Sequence, residues 1–310
     1  VSRVVNNKDD VSPETRDRVL KSIAELGYRP NILARSLITQ KSFTVGLVVP
    51  DLGNPFFPDI IRGAEEVAYR EGYTLLISNI DEKPEREKTA LRRFEASMVD
   101  GVIVCSSRLP DEVLTEHLKP FKAAAVVSRE APAEVAGSVL NDDIYGAMRA
   151  VHYLLARGHK RIGFLAGPPA SRSSKLRLEG YELALSASGM GLVSSYVEPT
   201  EPNEQGGMLG LPRLLQRHPE LDAVLCYNDL VAIGALQAAQ GLGRKVPQGL
   251  ALVGYDDIRM AALTTPPLST LRVDRFGMGV AAMELLLARM RGESPGPVVL
   301  RPELVERESA

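Results

Sequence analysis

The sequence predicts an α/β protein of two doubly wound parallel-sheet lobes behind a small all-α head. Three observations lead there. From residue 45 onward, strand-like runs that are apolar throughout alternate with amphipathic segments, the pattern of parallel sheets covered on both faces. These runs are too many for one small sheet, and the same opening logic recurs at Val45 and at Arg161. Ahead of them, residues 1–41 carry eight Lys/Arg against five acids in a chain of net charge −2. A basic head on an acidic body fits either a polyanion partner or a solvated charged helix.

The totals bound the rest. At 310 residues the chain suits two or three domains. No apolar run approaches the roughly 18 residues of a membrane span, and the opening Val-Ser-Arg-Val-Val-Asn-Asn-Lys lacks a signal-peptide apolar region. Only Cys105 and Cys226 are present, without CxxC spacing. That excludes a disulfide framework and points to a reducing, cytoplasmic setting.

Taken in order, Val1, Val4 and Val5 have the spacing of a helix end, and Asn7–Asp10 reads as a turn. Ser12 is a good N-cap, Pro13 suits the first helical position, and Val19, Leu20, Ile23 and Leu26 give the helix an apolar face that Gly27 closes. A short segment from Asn31 to Leu37 forms at most one marginal helix. Strands follow at Val45–Val49, Thr74–Ser78, Gly101–Cys105, Ala123–Val127, Arg161–Ala166, Ala223–Cys226 and Leu250–Val253. Helices are expected at Pro58–Glu71, Glu85–Met98, Asp143–Arg157, Arg177–Ser188, Gly206–Gln216 and Asp229–Leu242.

Several motifs resemble the lactose-repressor (LacI/GalR) family of bacterial transcription regulators: Val-Ser-Arg-Val-Val-Asn, Val-Ser-Pro-Glu-Thr-Arg-Asp-Arg-Val, Glu-Leu-Gly-Tyr-Arg-Pro-Asn and Ala-Arg-Ser-Leu. The closing Arg-Pro-Glu-Leu-Val-Glu-Arg-Glu-Ser is similar to the family's usual ending, so the resemblance runs along essentially the whole chain. It implies that the sequence starts inside a recognition helix, with roughly 15–20 further residues needed for a complete helix-turn-helix. It also implies lobes of periplasmic-binding-protein type with three crossovers, placed near Asn141, Arg272 and Gly292. The expected domains are then a partial helix-turn-helix head (1–29), a hinge helix (30–41), one lobe from 42–141 plus 272–292, and a second from 142–271 plus 293–310. No long heptad tail follows, which favours a homodimer over a tetramer.

For the head, the resemblance places Arg3 on a base edge, where its fork suits guanine O6 and N7. Ser2, Asn6, Thr15, Tyr28 and Asn31 match positions that hold the sugar-phosphate backbone and carry no sequence code. Leu37 matches a lever leucine that enters the minor groove, and Ala34 is small enough for a second hinge helix to approach. The hinge is too short to be stable alone, so it orders only with DNA and a partner copy. The implied operator is near-palindromic.

For the body, ligands of open α/β sheets sit beyond the carboxyl ends of strands. Phe56 and Phe57 follow the first strand; they either stack on a sugar face or base, or tuck a helix start into the core. Arg177 in Ser-Ser-Lys-Leu-Arg, Asn228 in Cys-Tyr-Asn-Asp and Asp256 in Gly-Tyr-Asp-Asp match the family's effector-contacting motifs. Arg129 and Asp81 lie at further strand ends, with Ser128 where the family often has Asp. The mixture suits a sugar, nucleoside or purine. No cofactor is implied. The chain has no GxGxxG, GxxxxGK[ST] or GxSxG, and His117, His152, His159 and His218 lack metal-ligand spacing, which argues against an enzyme. The expected function is a ligand-responsive DNA-binding repressor. The alternative is a periplasmic-type sugar-binding protein without DNA function.

Overall fold

The structure, a computed structural model, describes Val4 and residues 11–26, 41–191 and 193–310. It divides into two compact units, Val1–Phe43 and Thr44–Ala310. In the first, Val4 is helical and buried, and helix α1 spans Pro13–Glu25. The Ser12 hydroxyl accepts from the Thr15 backbone N–H at 3.4 Å and donates to the Thr15 hydroxyl at 2.9 Å. Ser12 caps the helix as its sequence suggests. Of the expected apolar face, Val19 and Ile23 are half-buried while Leu20 and Leu26 stay exposed.

The second unit holds two parallel sheets. The first runs through β1 (Thr44–Val49), α2 (Phe56–Arg70), β2 (Thr74–Asn79), α3 (Pro84–Ala96), β3 (Gly101–Cys105), α4 (Asp111–Leu118), β4 (Ala124–Val127) and β5 (Gly137–Asn141). The chain then crosses to α5 (Asp143–Ala156), β6 (Ile162–Ala166), α6 (Arg172–Ala187), β7 (Val197–Pro199), α7 (Glu204–Arg217), β8 (Ala223–Cys226), α8 (Asp229–Gly241) and β9 (Ala251–Val253). Strand β10 (Thr270–Arg272), helix α9 (Arg275–Met290), β11 (Val298–Leu300) and β12 (Glu303–Val305) complete it.

The first sheet has the order β11-β5-β4-β3-β1-β2 and the second β7-β6-β8-β9, while β10 and β12 form an antiparallel pair. Strand order reverses between β1 and β3 in one sheet and between β6 and β8 in the other. Each reversal opens a crevice at the carboxyl ends of the strands. The pairing moves one expected boundary. Val298–Leu300 pair in register with Val139–Asn141 of the first sheet, so the chain last crosses between Leu300 and Glu303, not near Gly292. Strand β11 there covers the β5 edge and becomes the edge strand itself.

One device recurs in both lobes. A Cβ added at Gly279 on α9 would lie 1.9 Å from the Ile60 carbonyl oxygen on α2, and one at Gly63 2.1 Å from the Phe276 carbonyl oxygen. In the second lobe Gly207 on α7 and Gly234 on α8 would meet backbone at 1.9 and 1.8 Å. Each helix pair therefore packs backbone against backbone across facing glycines. Gly279→Ala is expected to force α2 and α9 apart and to cost about 1–3 kcal/mol of stability, read by thermal or urea unfolding. An unchanged midpoint would refute this packing.

Candidate effector cleft

The carboxyl ends of both sheets face one cleft. Asn54, Phe56 and Phe57 reach it after β1, Glu82 after β2, Arg108 after β3 and Ser128 after β4. From the other sheet come Arg177, Tyr227, Asn228 and Asp256. The backbone is unusual here. Glu82, Ser106, Ser128 and Asp256 have φ of 58°, 46°, 57° and 112°, left-handed values that non-glycine residues rarely adopt. Such conformations cluster where a clamp must aim its side chains. The gap left among the lining groups is about 20 Å³ at water-sized centres, room for roughly one water molecule. Anything larger needs the lining groups to move, by rearranged side chains or by parted lobes.

Arg177 is the centre of the polar network. Its Nε donates to Asp143 Oδ1 at 2.9 Å, its Nη1 donates to the Tyr227 carbonyl at 2.5 Å, and Nη2 lies 3.7 Å from Asp256 Oδ1. The guanidinium stacks on the Tyr255 ring, 3.5 Å from its centroid. Asp143 also accepts from Asn141 Nδ2, which donates again to the Tyr255 hydroxyl. All these groups are buried. Burial pushes the Asp256 carboxyl up to about 7, against the pull of Arg177 and Arg275. Burial likewise raises the neighbouring Asp229, which accepts from the Thr270 hydroxyl and the Ile258 N–H. Asn228 serves two ends. Its Oδ1 accepts from Val231 N at 2.8 Å, capping α8, and its Nδ2 donates to the Pro202 carbonyl at 3.1 Å. The capping role and the cleft position coexist.

Phe56 and Phe57 tuck the helix start into the core and also reach the cleft. The helix begins at Phe56, not Pro58, because Asn54 Oδ1 accepts from the Phe56 N–H and Pro58 falls in the first turn, where its missing N–H costs nothing. Both rings are buried, edge-to-face at 5.2 Å, and both line the cleft.

Two expected positions fall elsewhere. Arg129 does not line this cleft. Its guanidinium turns to Asp111 Oδ1 and the Ser107 carbonyl, bracing the turn that carries Arg108. Asp81 is held outside by Arg86 and Asn79, and the next residue, Glu82, enters instead. Glu82 and Arg108 are the ion pair that sequence reasoning missed, with Arg108 Nη2 donating to Glu82 Oε1 at 3.0 Å. Behind them the fully buried Glu87 accepts from Ser107 Oγ at 2.5 Å and from the Arg108 N–H at 2.9 Å. The signal was present: Asp-Glu after one strand and Ser-Ser-Arg after the next are polar residues at carboxyl ends.

Cys105 and Cys226 are wholly buried core thiols, and burial pushes Cys105 up to about 12. Thr15, the head position that is described, accepts from the Ser12 hydroxyl at 2.9 Å. Ser2, Arg3, Asn6, Tyr28, Asn31, Ala34 and Leu37 lie outside the described residues. No helix of the described residues is long and apolar enough to cross a membrane.

Comparison with known proteins gives the following. Residues 1–31 match bacterial regulatory proteins of the lacI family, and residues 151–310 match the periplasmic binding protein-like domain. The chain is 36% identical over 296 residues to the HTH-type transcriptional repressor CytR of Escherichia coli (strain K12), covering 96% of this chain and 87% of that protein. Among solved structures, the lac repressor dimer bound to operator and the anti-inducer ONPF superposes with a TM-score of 0.89 at 28% identity, covering 99% of this chain and 93% of that one. A transcriptional regulator CelR–cellobiose complex superposes with a TM-score of 0.81 at 31% identity, covering 100% of this chain and 94% of that chain.

Proposed function

The chain belongs to the lacI family of bacterial regulatory proteins, and on that premise we propose how its cleft and its head work together. It is a DNA-binding transcriptional regulator, not an enzyme. Our reading makes it a cytoplasmic repressor of carbohydrate or nucleoside metabolism genes. It acts as a homodimer on a near-palindromic operator and holds a sugar, nucleoside or purine between its lobes.

The observation that carries the ligand reading is that Arg177, Asn228 and Asp256, from separate elements of the second lobe, line the same gap as Phe56 of the first. A guanidinium, an amide and a carboxylate supply donors and acceptors for hydroxyls, and a ring edge supplies apolar contact. The CelR relative with cellobiose and the lac repressor with ONPF are consistent with a ligand of this class. The dimer reading draws on β2, an edge strand that leaves Leu76 and Ile77 exposed, with Tyr69 79% exposed beside it on α2. An uncovered apolar edge of this kind invites a second copy.

In this reading, ligand shifts the lobes between two arrangements and so brings paired hinge segments together or splays them. It does so only through its different affinity for the two states. Leu37 acts at the operator, so Leu37→Ala weakens DNA binding and leaves ligand binding intact. The ligand class is tested by thermal unfolding against a panel of sugars, nucleosides and purines. A true effector at 100 times its Kd adds about 2.7 kcal/mol; a panel that never moves the midpoint would remove the ligand assignment.

A further inference from the structure

Arg275 opens α9, directly after the Asp274 N-cap, whose Oδ1 accepts from the Gly277 N–H at 2.8 Å. The start of that helix is anchored against α2 by the Gly63 and Phe276 contact. The Arg275 side chain, mostly buried, reaches two ways. Its Nε and Nη2 donate to Asp59 Oδ2 on α2 at 3.1 and 3.0 Å. Its Nη1 donates to the carbonyl of Asp256, beyond β9 of the other sheet. Asp59 lies one helical turn past Phe56, while Asp256 is held at φ 112° with its own N–H on the Leu271 carbonyl. One guanidinium thus ties a cleft-lining helix of one lobe to a cleft-lining turn of the other.

We propose that Arg275 is the latch between the lobes, fixing the α2 helix start to the Asp256 turn and setting how far the cleft closes. Planar and multiply donating, a guanidinium holds two acceptors in fixed directions, which a lysine ammonium does less well. The charge of Arg275 also bears on the Asp256 carboxylate. The other groups facing that carboxylate are Arg177 from α6, Asp143 from α5 and Asp229 from α8. The consequence for regulation rests on the ligand reading above; the latch itself does not.

The test uses the full chain without ligand. Nitroxide labels at Lys119→Cys and Lys245→Cys, both exposed and one on each lobe, report the inter-lobe distance. Cys105 and Cys226 are too buried to compete for label. With Arg275 intact, a single short distance is expected, with any longer population below about 10%. Arg275→Met should make the longer population the majority, Asp59→Asn should do so in part, and Arg275→Lys should recover part of the short one. Arg275→Met should also move the Asp256-dependent loss of stability with pH to higher pH, because one neighbouring cation is gone. A lower melting temperature with unchanged distances and unchanged pH dependence would overturn the latch and leave Arg275 a structural residue of α9. Distances that shift in a protein that binds no sugar or nucleoside would keep the latch and sink the ligand reading.

Discussion

Replacing Arg177 by leucine is expected to abolish ligand binding and to destabilise the fold by about 3–5 kcal/mol, the cost of breaking a buried ion pair by removing one partner. The reason lies in what stays behind. Asp143 and Asp256 are 3% and 4% exposed, and Arg177 is the cation touching both. Without it, Asp143 keeps the Asn141 amide and the Tyr255 hydroxyl but no cation, and the Tyr255 ring loses the guanidinium stacked on it. At roughly 2–4 °C per kcal/mol for a body of this size, the midpoint should fall by about 6–20 °C. Adding Asp143→Asn to the leucine variant should restore part of that loss, since the two residues share one interaction and their effects are not additive. A variant as stable as the parent, or one that still binds the panel's ligand, would show that Arg177 is not the organising charge.

The second large effect concerns pH. The Asp256 carboxyl titrates at about 7 in the folded chain, against an ordinary 3.8. Folded protein therefore binds more protons at this site across that interval. The stability it contributes is full below pH ~4 and is lost as pH rises through about 7. The span is worth on the order of 4 kcal/mol. Asp256→Asn removes this dependence, so the variant should gain on the parent between pH 4 and 7.5 in urea unfolding. Asp229 and Glu87, also raised by burial, add loss of the same sign in both proteins, while Asp111 and Asp257, lowered by their arginine partners, oppose it. Ligand affinity should move the other way in the parent. It should rise through about pH 7 as the carboxylate becomes a full acceptor, and Asp256→Asn should lack that rise. Parallel stability curves for the two proteins would contradict the raised carboxyl.

Much of the body was legible because buried parallel strands are apolar end to end. Val45–Val49, Gly101–Cys105 and Ala223–Cys226 need no partner information to be read. Strands β5 and β7 were not legible: Gly-Ser-Val-Leu-Asn and Val-Glu-Pro are short and mixed, and become strands only through their neighbours. Helix α9 hid for the opposite reason. Apolar residues surround it, so it lacks an amphipathic stripe, and it is buried against α2 and the first sheet. In the cleft, Arg177, Asn228 and Asp256 stood in recognisable motifs. Glu82 and Arg108 were marked only as polar residues at strand ends, turned in by left-handed backbone at Glu82 and Ser106, and Arg275 beside the cleft depends on a contact between residues 216 positions apart in the chain. The same physics misplaced Arg129: strand-end position was read correctly, but the competing partner Asp111 was invisible in one dimension.

The coupling between cleft and DNA is tested most directly by titrating a labelled operator duplex, selected by the protein itself, with and without a ligand that calorimetry shows to be bound. Linkage requires that a ligand preferring one lobe arrangement change operator affinity, and a coupling of about 1–3 kcal/mol corresponds to about 5–150-fold. The expected result is a shift of that size in the parent and none in Arg177→Leu. Operator curves that superimpose with the cleft fully occupied would contradict it.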